Sequence, residues 1–157
     1  MTDTLSIKIL DATKDGDDLL QLLDSGAVIS LIVTGASMLP FLRDGRDIVL
    51  LQKTEQPKKG QILFFRRRNN AFVLHRIRKI LPDGNFLVNG DAQTWCEIVV
   101  PQQVVAIVIG ITRNGRTHSA NSIILRLRDA LWYPTRPLRP MIFRTYSILK
   151  RLFTKQN

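Results

Sequence analysis

A single cysteine, Cys96, leaves the chain without an internal disulfide framework or a multi-cysteine metal site, so no metal and no cofactor is expected. Long apolar runs are missing too. The longest, 27–33 and 104–111, fall far short of the roughly 20 apolar residues a membrane-spanning helix needs. Acidic Asp3 and the lack of a basic lead-in exclude a signal peptide, which makes the cytoplasm the expected location. Histidine is scarce, with only His75 and His118 available to titrate near neutral pH. Negative charge is nearly absent from the C-terminal part. Beyond residue 112 Asp129 stands alone against ten basic groups, whereas residues 1–112 carry 13 basic and 12 acidic groups. The net charge of +10 therefore resides in a basic tail on a nearly neutral domain.

What is present fits one folded unit. The 157 residues match a domain of about 100–150, and 45% apolar content excludes a disordered chain. A loosely alternating opening strand is expected at 5–10. A helix is expected at 15–26, led by Asp15, Asp17 and Asp18 and ended by Gly26. Strand-like runs follow at 27–34, 47–52, 61–66, 71–81, 85–89 and 103–112, separated by turn signals such as Asp83-Gly84 and Asn114-Gly115. The pattern predicts a mainly β fold, a compact and mostly antiparallel β domain with a short N-terminal helix.

The boundary falls near residue 119, with a β domain at 1–119 and a basic helical tail at 120–157. In the tail one helix is expected at 122–132, with Ile123, Ile124, Leu127 and Leu131 on one side. After Pro134, Pro137 and Pro140, a second is expected at about 141–153. Such a tail suits an anionic membrane surface or packing on the β domain, and suits nucleic acid less well. The triplet Arg66-Arg67-Arg68 reads as a solvated hairpin tip.

The candidate chemistry begins at Gly35-Ala36-Ser37-Met38-Leu39-Pro40, where small residues after an apolar strand leave the Ser37 hydroxyl accessible. A serine hydroxyl needs a base to become a useful nucleophile. His75, inside the strand-like Phe72-Val73-Leu74-His75-Arg76-Ile77, is either a half-buried passenger or that base. Asp91 and Glu97 are the acidic candidates to orient it.

Together these segments resemble the type I signal peptidases, whose superfamily also contains the self-cleaving repressor peptidases. Gly35-x-Ser37-Met38-x-Pro40 with Asp44-Gly45-Arg46-Asp47 resembles their serine box. His75-Arg76-Ile77 stands where most bacterial members have Lys-Arg and an aliphatic residue, and Gly90-Asp91-Ala92-Gln93 resembles their Gly-Asp box. The histidine is similar to the endoplasmic-reticulum and archaeal branch, which carries Ser, His and Asp; here the later acidic position is Glu97.

The resemblance, over roughly 26–111, implies a serine endopeptidase cleaving a peptide or leader bond. Ser37 would be the nucleophile and His75 the general base, with Asp91 or Glu97 orienting the ring. Backbone N–H groups near Ser37 would hold the oxyanion. Gly35, Ala36 and Met38 would border a pocket for small side chains. Only 36 residues precede Ser37, which suggests neither the usual membrane anchor nor a DNA-binding domain. The alternative is a catalytically silent peptide-binding or interaction module of the same fold.

Overall fold

Apolar alternation and glycine turns yield a mainly antiparallel β structure, here a computed structural model that describes residues 9–10 and 16–145. Helix α1 (Gly16–Asp24) buries Leu19 and Leu23, and Gly26 ends it at φ 85°, a conformation that favours glycine. The strands are β1 (Ile9–Leu10), β2 (Ile29–Ile32), β3 (Ile48–Gln52), β4 (Ile62–Arg66), β5 (Phe72–Ile80), β6 (Phe86–Asn89), β7 (Glu97–Val99), β8 (Val104–Arg113) and β9 (Arg116–Ser119). They form one sheet in the order β1-β2-β3-β8-β4-β5-β6-β7, with β9 folded back on β8. Only the β1–β2 pairing is parallel among the described residues.

Each run expected from alternation contains a strand, and two strands were not anticipated. Strand β7 is three residues long and follows Trp95-Cys96 without any alternating lead. Strand β9 is exposed throughout, so no apolar pattern marks it. The Asn114-Gly115 turn creates it: both residues take positive φ, 51° and 75°, which suits the right-handed twist of a tight hairpin. Of the expected opening strand only 9–10 lies within the described residues.

Strand β4 is buried on both faces and separates two apolar clusters. Ile62 and Phe64 join Leu19, Leu23, Met38, Leu42, Val49 and Val108 on one side. Leu63 and Phe65 join Ile77, Val88 and Val99 on the other. This period-two division recurs along β5, where Phe72 and Leu74 face the first cluster and Val73 and Ile77 the second.

The excursion between β2 and β3 carries the serine segment, and Asp47 anchors its return. Its fully buried carboxylate accepts from Arg43 Nε and Nη2, from the Arg43 backbone N–H, and from Arg113 Nε and Nη2. Burial opposes that charge, but the two guanidiniums prevail and hold the carboxyl down at about 2, against an ordinary 3.8. A depressed carboxylate stabilises the fold fully above its unfolded value and loses that contribution as pH falls through the folded one. About 2 kcal/mol of stability should therefore disappear between roughly pH 4 and 2, and Asp47→Asn should remove that part of the acid transition in urea melts at successive pH values.

The tail lies against the β domain. Helix α2 (Ile123–Trp132) leads through 3-10 turns at Tyr133–Leu138 into further helical turns at 139–145. The rest of the helix expected at 141–153 lies outside the described residues. Of the expected apolar side of α2, Leu127 and Leu131 do not face the protein, being 60% and 78% exposed, and the side chains of Ile123 and Ile124 lie outside the described ones. Arg128, Asp129 and Trp132 reach the β domain instead, over the Phe41 ring, to Arg78 and to the Asp91 carbonyl. Charge and hydrogen-bond partners on the β domain orient this part of the helix.

Candidate active site

Ser37 follows β2 on a loop shaped by short polar contacts. Gly35 takes φ 85° and donates its N–H to Asp44 Oδ1 at 2.9 Å. Val33 N–H donates to the Asp47 carbonyl at 2.9 Å, closing the neck of the excursion. These contacts give a local reason for the Asp44-Gly45-Arg46-Asp47 motif, which holds the serine loop from behind. Met38 is buried in the first cluster and anchors the loop, while Gly35 and Ala36 are exposed and Ser37 is half-buried. The N–H groups of Ser37 and Met38 make no hydrogen bond to any described residue, so both remain available as donors.

The loop meets the end of β6. Ser37's carbonyl accepts from Ala92 N–H at 2.8 Å. A Cβ on Gly90 would lie 2.7 Å from that same carbonyl oxygen and 2.6 Å from Gln93 Oε1, too close for any side chain. Gly90 is therefore required by close backbone approach. Arg76 pairs with Asn89 across β5 and β6, so one further step of that register brings Gly90 opposite His75. Cross-strand neighbours share a face. The Ser37 backbone packs against the Gly90 turn past the end of β6, while its neighbour Met38 lies in the first cluster.

His75 is 1% exposed, with its ring edge-on to Phe65 at 5.9 Å and to Trp95 at 6.0 Å between centroids. Its Nδ1 lies 2.7 Å from Glu97 Oε1, off the line of a well-formed hydrogen bond. Glu97 in turn is gripped by Arg67, whose Nε and Nη2 donate at 3.0 and 2.6 Å. Burial pushes the imidazole below its ordinary 6.5; the Glu97 carboxylate pulls it up, and the Arg67 charge pushes it down again. Burial, the largest of these influences, thus favours the neutral ring, the form that can accept a proton. Among the described residues no hydrogen bond joins Ser37 Oγ to His75.

Asp91 lies elsewhere in the network. Its buried carboxylate accepts from Arg76 Nε and Nη2 at 3.0 and 2.7 Å and from Arg78 Nη2 at 2.7 Å. Burial works against the Arg76 charge, but Asp91 outweighs it and raises the guanidinium above its usual range. Asp129 closes the cluster through both arginines. The structure thus brings Glu97 to His75, and Asp91 to Arg76 and Arg78. His118 lies exposed on β9, opposite Ile111.

Several participants were not apparent in the sequence. Arg67 does not stand in water at a hairpin tip as expected, but reaches Glu97. A signal existed: Leu63, Phe65 and Arg67 fall at spacing two, so Arg67 shares the face of the second cluster. Nothing local marked Arg139, which is fully buried and donates to Asn89 Oδ1 at 3.2 Å and to the Gln93 carbonyl. Two open grooves border the 94–100 segment. One, of about 440 Å³, is lined by Thr94, Tyr133, Pro134, Arg136 and Pro137. The other, of about 540 Å³, includes Arg67, Ile98 and Val100.

No curated protein matches the chain significantly. The family model for Peptidase S24-like proteins matches residues 7–112, which takes in the serine loop, β5 and the Gly90–Glu97 segment. That span covers most of the sheet and every candidate catalytic residue, and the chain belongs to the Peptidase S24-like family.

Proposed function

We propose that this chain is a serine endopeptidase in which Ser37 attacks, His75 is the general base and Glu97 orients it, acting on a peptide or leader-type bond as signal peptidases do. The observation that carries the reading is the 2.7 Å contact between Glu97 and the buried His75 ring. A carboxylate at Nδ1 keeps the proton on that nitrogen and leaves Nε2 as the acceptor. Nε2 then takes the Ser37 proton as Oγ bonds to the peptide carbonyl carbon. The oxyanion is held by the free N–H groups of Ser37 and Met38. Collapse breaks the C–N bond and His75 protonates the departing amine. Water, activated by the same ring, hydrolyses the acyl-enzyme. Asp91 has a structural part in this scheme, locking Arg76 and Arg78 beneath the Gly90 turn.

A silent peptide-binding module of the same fold is the second reading, favoured by the lack of a hydrogen bond between Ser37 Oγ and His75. Catalytic hydrogen bonds are often loose without substrate and tighten in the complex, which weakens that objection. The pH profile of cleavage of a small-residue peptide library, with Ser37→Ala alongside, separates the two. Ser37-dependent cleavage should rise with pH along a limb centred below 6.5, because the base must be neutral and burial lowers its value. Arg67→Gln removes a charge that opposes the imidazolium, so it should shift the limb to higher pH. A limb appearing only at about pH 9–10 would indicate a lysine base. Absence of Ser37-dependent cleavage would leave the silent module.

A further inference from the structure

We infer that the outer face of α2 and the turns after it bind an anionic lipid bilayer. Among the described side chains of α2, Leu127 and Leu131 turn away from the protein, whereas Asp129 and Trp132 turn toward it. Asp129 reaches Arg78 at 2.7 Å, while Arg128 lies over the Phe41 ring with its side chain still exposed. Leu127 and Leu131, one turn apart, point outward, and the exposed apolar surface continues through Leu138 and Met141, 54% and 66% exposed. Exposed apolar side chains at one or two positions are ordinary. Four large exposed apolar side chains, two on α2 and two in the turns after it, mark an interaction surface.

Charge selects the occupant. Residues 113–157 carry ten basic groups, and their one acidic group, Asp129, is consumed by Arg78 and Arg76. No carboxylate in this segment is left to repel a phosphate headgroup. A second copy of the chain would bring the same basic segment against this one, like charge facing like. An apolar stripe on a strongly cationic segment suits an interfacial helix on anionic lipid. No helix among the described residues is long and apolar enough to cross a membrane, so the contact is peripheral.

The attachment is rigidly tied to the candidate site. On its inward side the same segment donates Trp132 Nε1 to the Asp91 carbonyl at 2.6 Å, and buried Arg139 to Asn89 Oδ1. The bilayer face and the 89–93 turn that supports Ser37 are therefore separated by about one helix diameter, roughly 10 Å. Docking on lipid would hold the site at the bilayer surface.

Flotation of the full chain with phosphatidylcholine vesicles, with and without phosphatidylglycerol, tests this. Binding is expected only to the anionic vesicles and should weaken with added salt. The doubly substituted Leu127→Glu/Leu131→Glu protein should bind at least about tenfold less, its circular dichroism unchanged because both side chains already face water. Ser37→Ala should float like the wild type, so the result is independent of whether the peptidase reading holds. Failure to bind anionic vesicles, equal binding by the double variant, or a dimer in solution that the double variant dissociates would each overturn the inference.

Discussion

His75→Ala should lower the Ser37-dependent cleavage rate by about 10⁶-fold, and Ser37→Ala by a similar factor, with the double variant no worse than either. Nucleophile and base act as one unit, so losing either removes proton transfer and covalent attack together. Glu97→Gln should be the informative member of the series. The amide keeps the shape of the carboxylate but offers no charge to the imidazolium formed in the transition state. It can also stabilise the wrong ring tautomer. A loss of about 10⁴-fold in kcat, with KM little changed, is expected. Single-turnover kinetics on a cleavable peptide would measure all three. A Glu97→Gln enzyme as fast as the wild type would refute the orienting role, whatever the other two variants did.

Asp91→Ala should instead unfold the protein readily. Arg76 and Arg78 are only 5% and 7% exposed at their side chains, and Asp91 is the fully buried one of the two carboxylates they share. Removing it strands two guanidiniums in a buried setting with Asp129 as the remaining carboxylate, at a cost of about 3–5 kcal/mol. The effect should appear as a lower urea midpoint. Asp91→Asn should also be destabilised, since it keeps the volume but loses the charge. Glu97→Gln, by contrast, should melt close to the wild type, because Glu97 is partly exposed and Arg67 can turn to solvent. The two carboxylates are thus separable, one read in stability and the other in rate. Asp91→Asn melting like the wild type while losing activity would reverse the assignment.

This division between Asp91 and Glu97 shows where sequence reading stopped. Both are acidic, both follow the Gly90 turn, and nothing in their spacing chooses between them. Strand pairing makes the choice. Val88 pairs with Glu97 across β6 and β7, and with Ile77 across β5 and β6, so Glu97 shares the face of Ile77 and His75. Asp91 lies past the end of β6, where Arg76 and Arg78 approach from the opposite face. Parity of this kind depends on which strands become neighbours, and β7 itself had no alternating pattern to reveal it.

Much else was determined locally. Alternating apolar residues and glycine or asparagine turns set six of the strands and helix α1, because their periodicity and backbone preferences need no distant partner. The Gly35–Pro40 segment, His75-Arg76 and Gly90-Asp91 were legible as a set because each is a short contiguous motif. The basic tail was legible from charge alone. Tertiary structure decided the rest. It decided that Gly90 must be glycine, since the Ser37 carbonyl occupies its side-chain space, and that Arg67 leaves the hairpin tip for Glu97. It also turned α2 so that Leu127 and Leu131 face outward. That rotation follows from the buried Asp91–Arg78–Asp129 cluster and the Trp132 and Arg139 hydrogen bonds, polar contacts between residues 13 to 51 positions apart that no local pattern encodes.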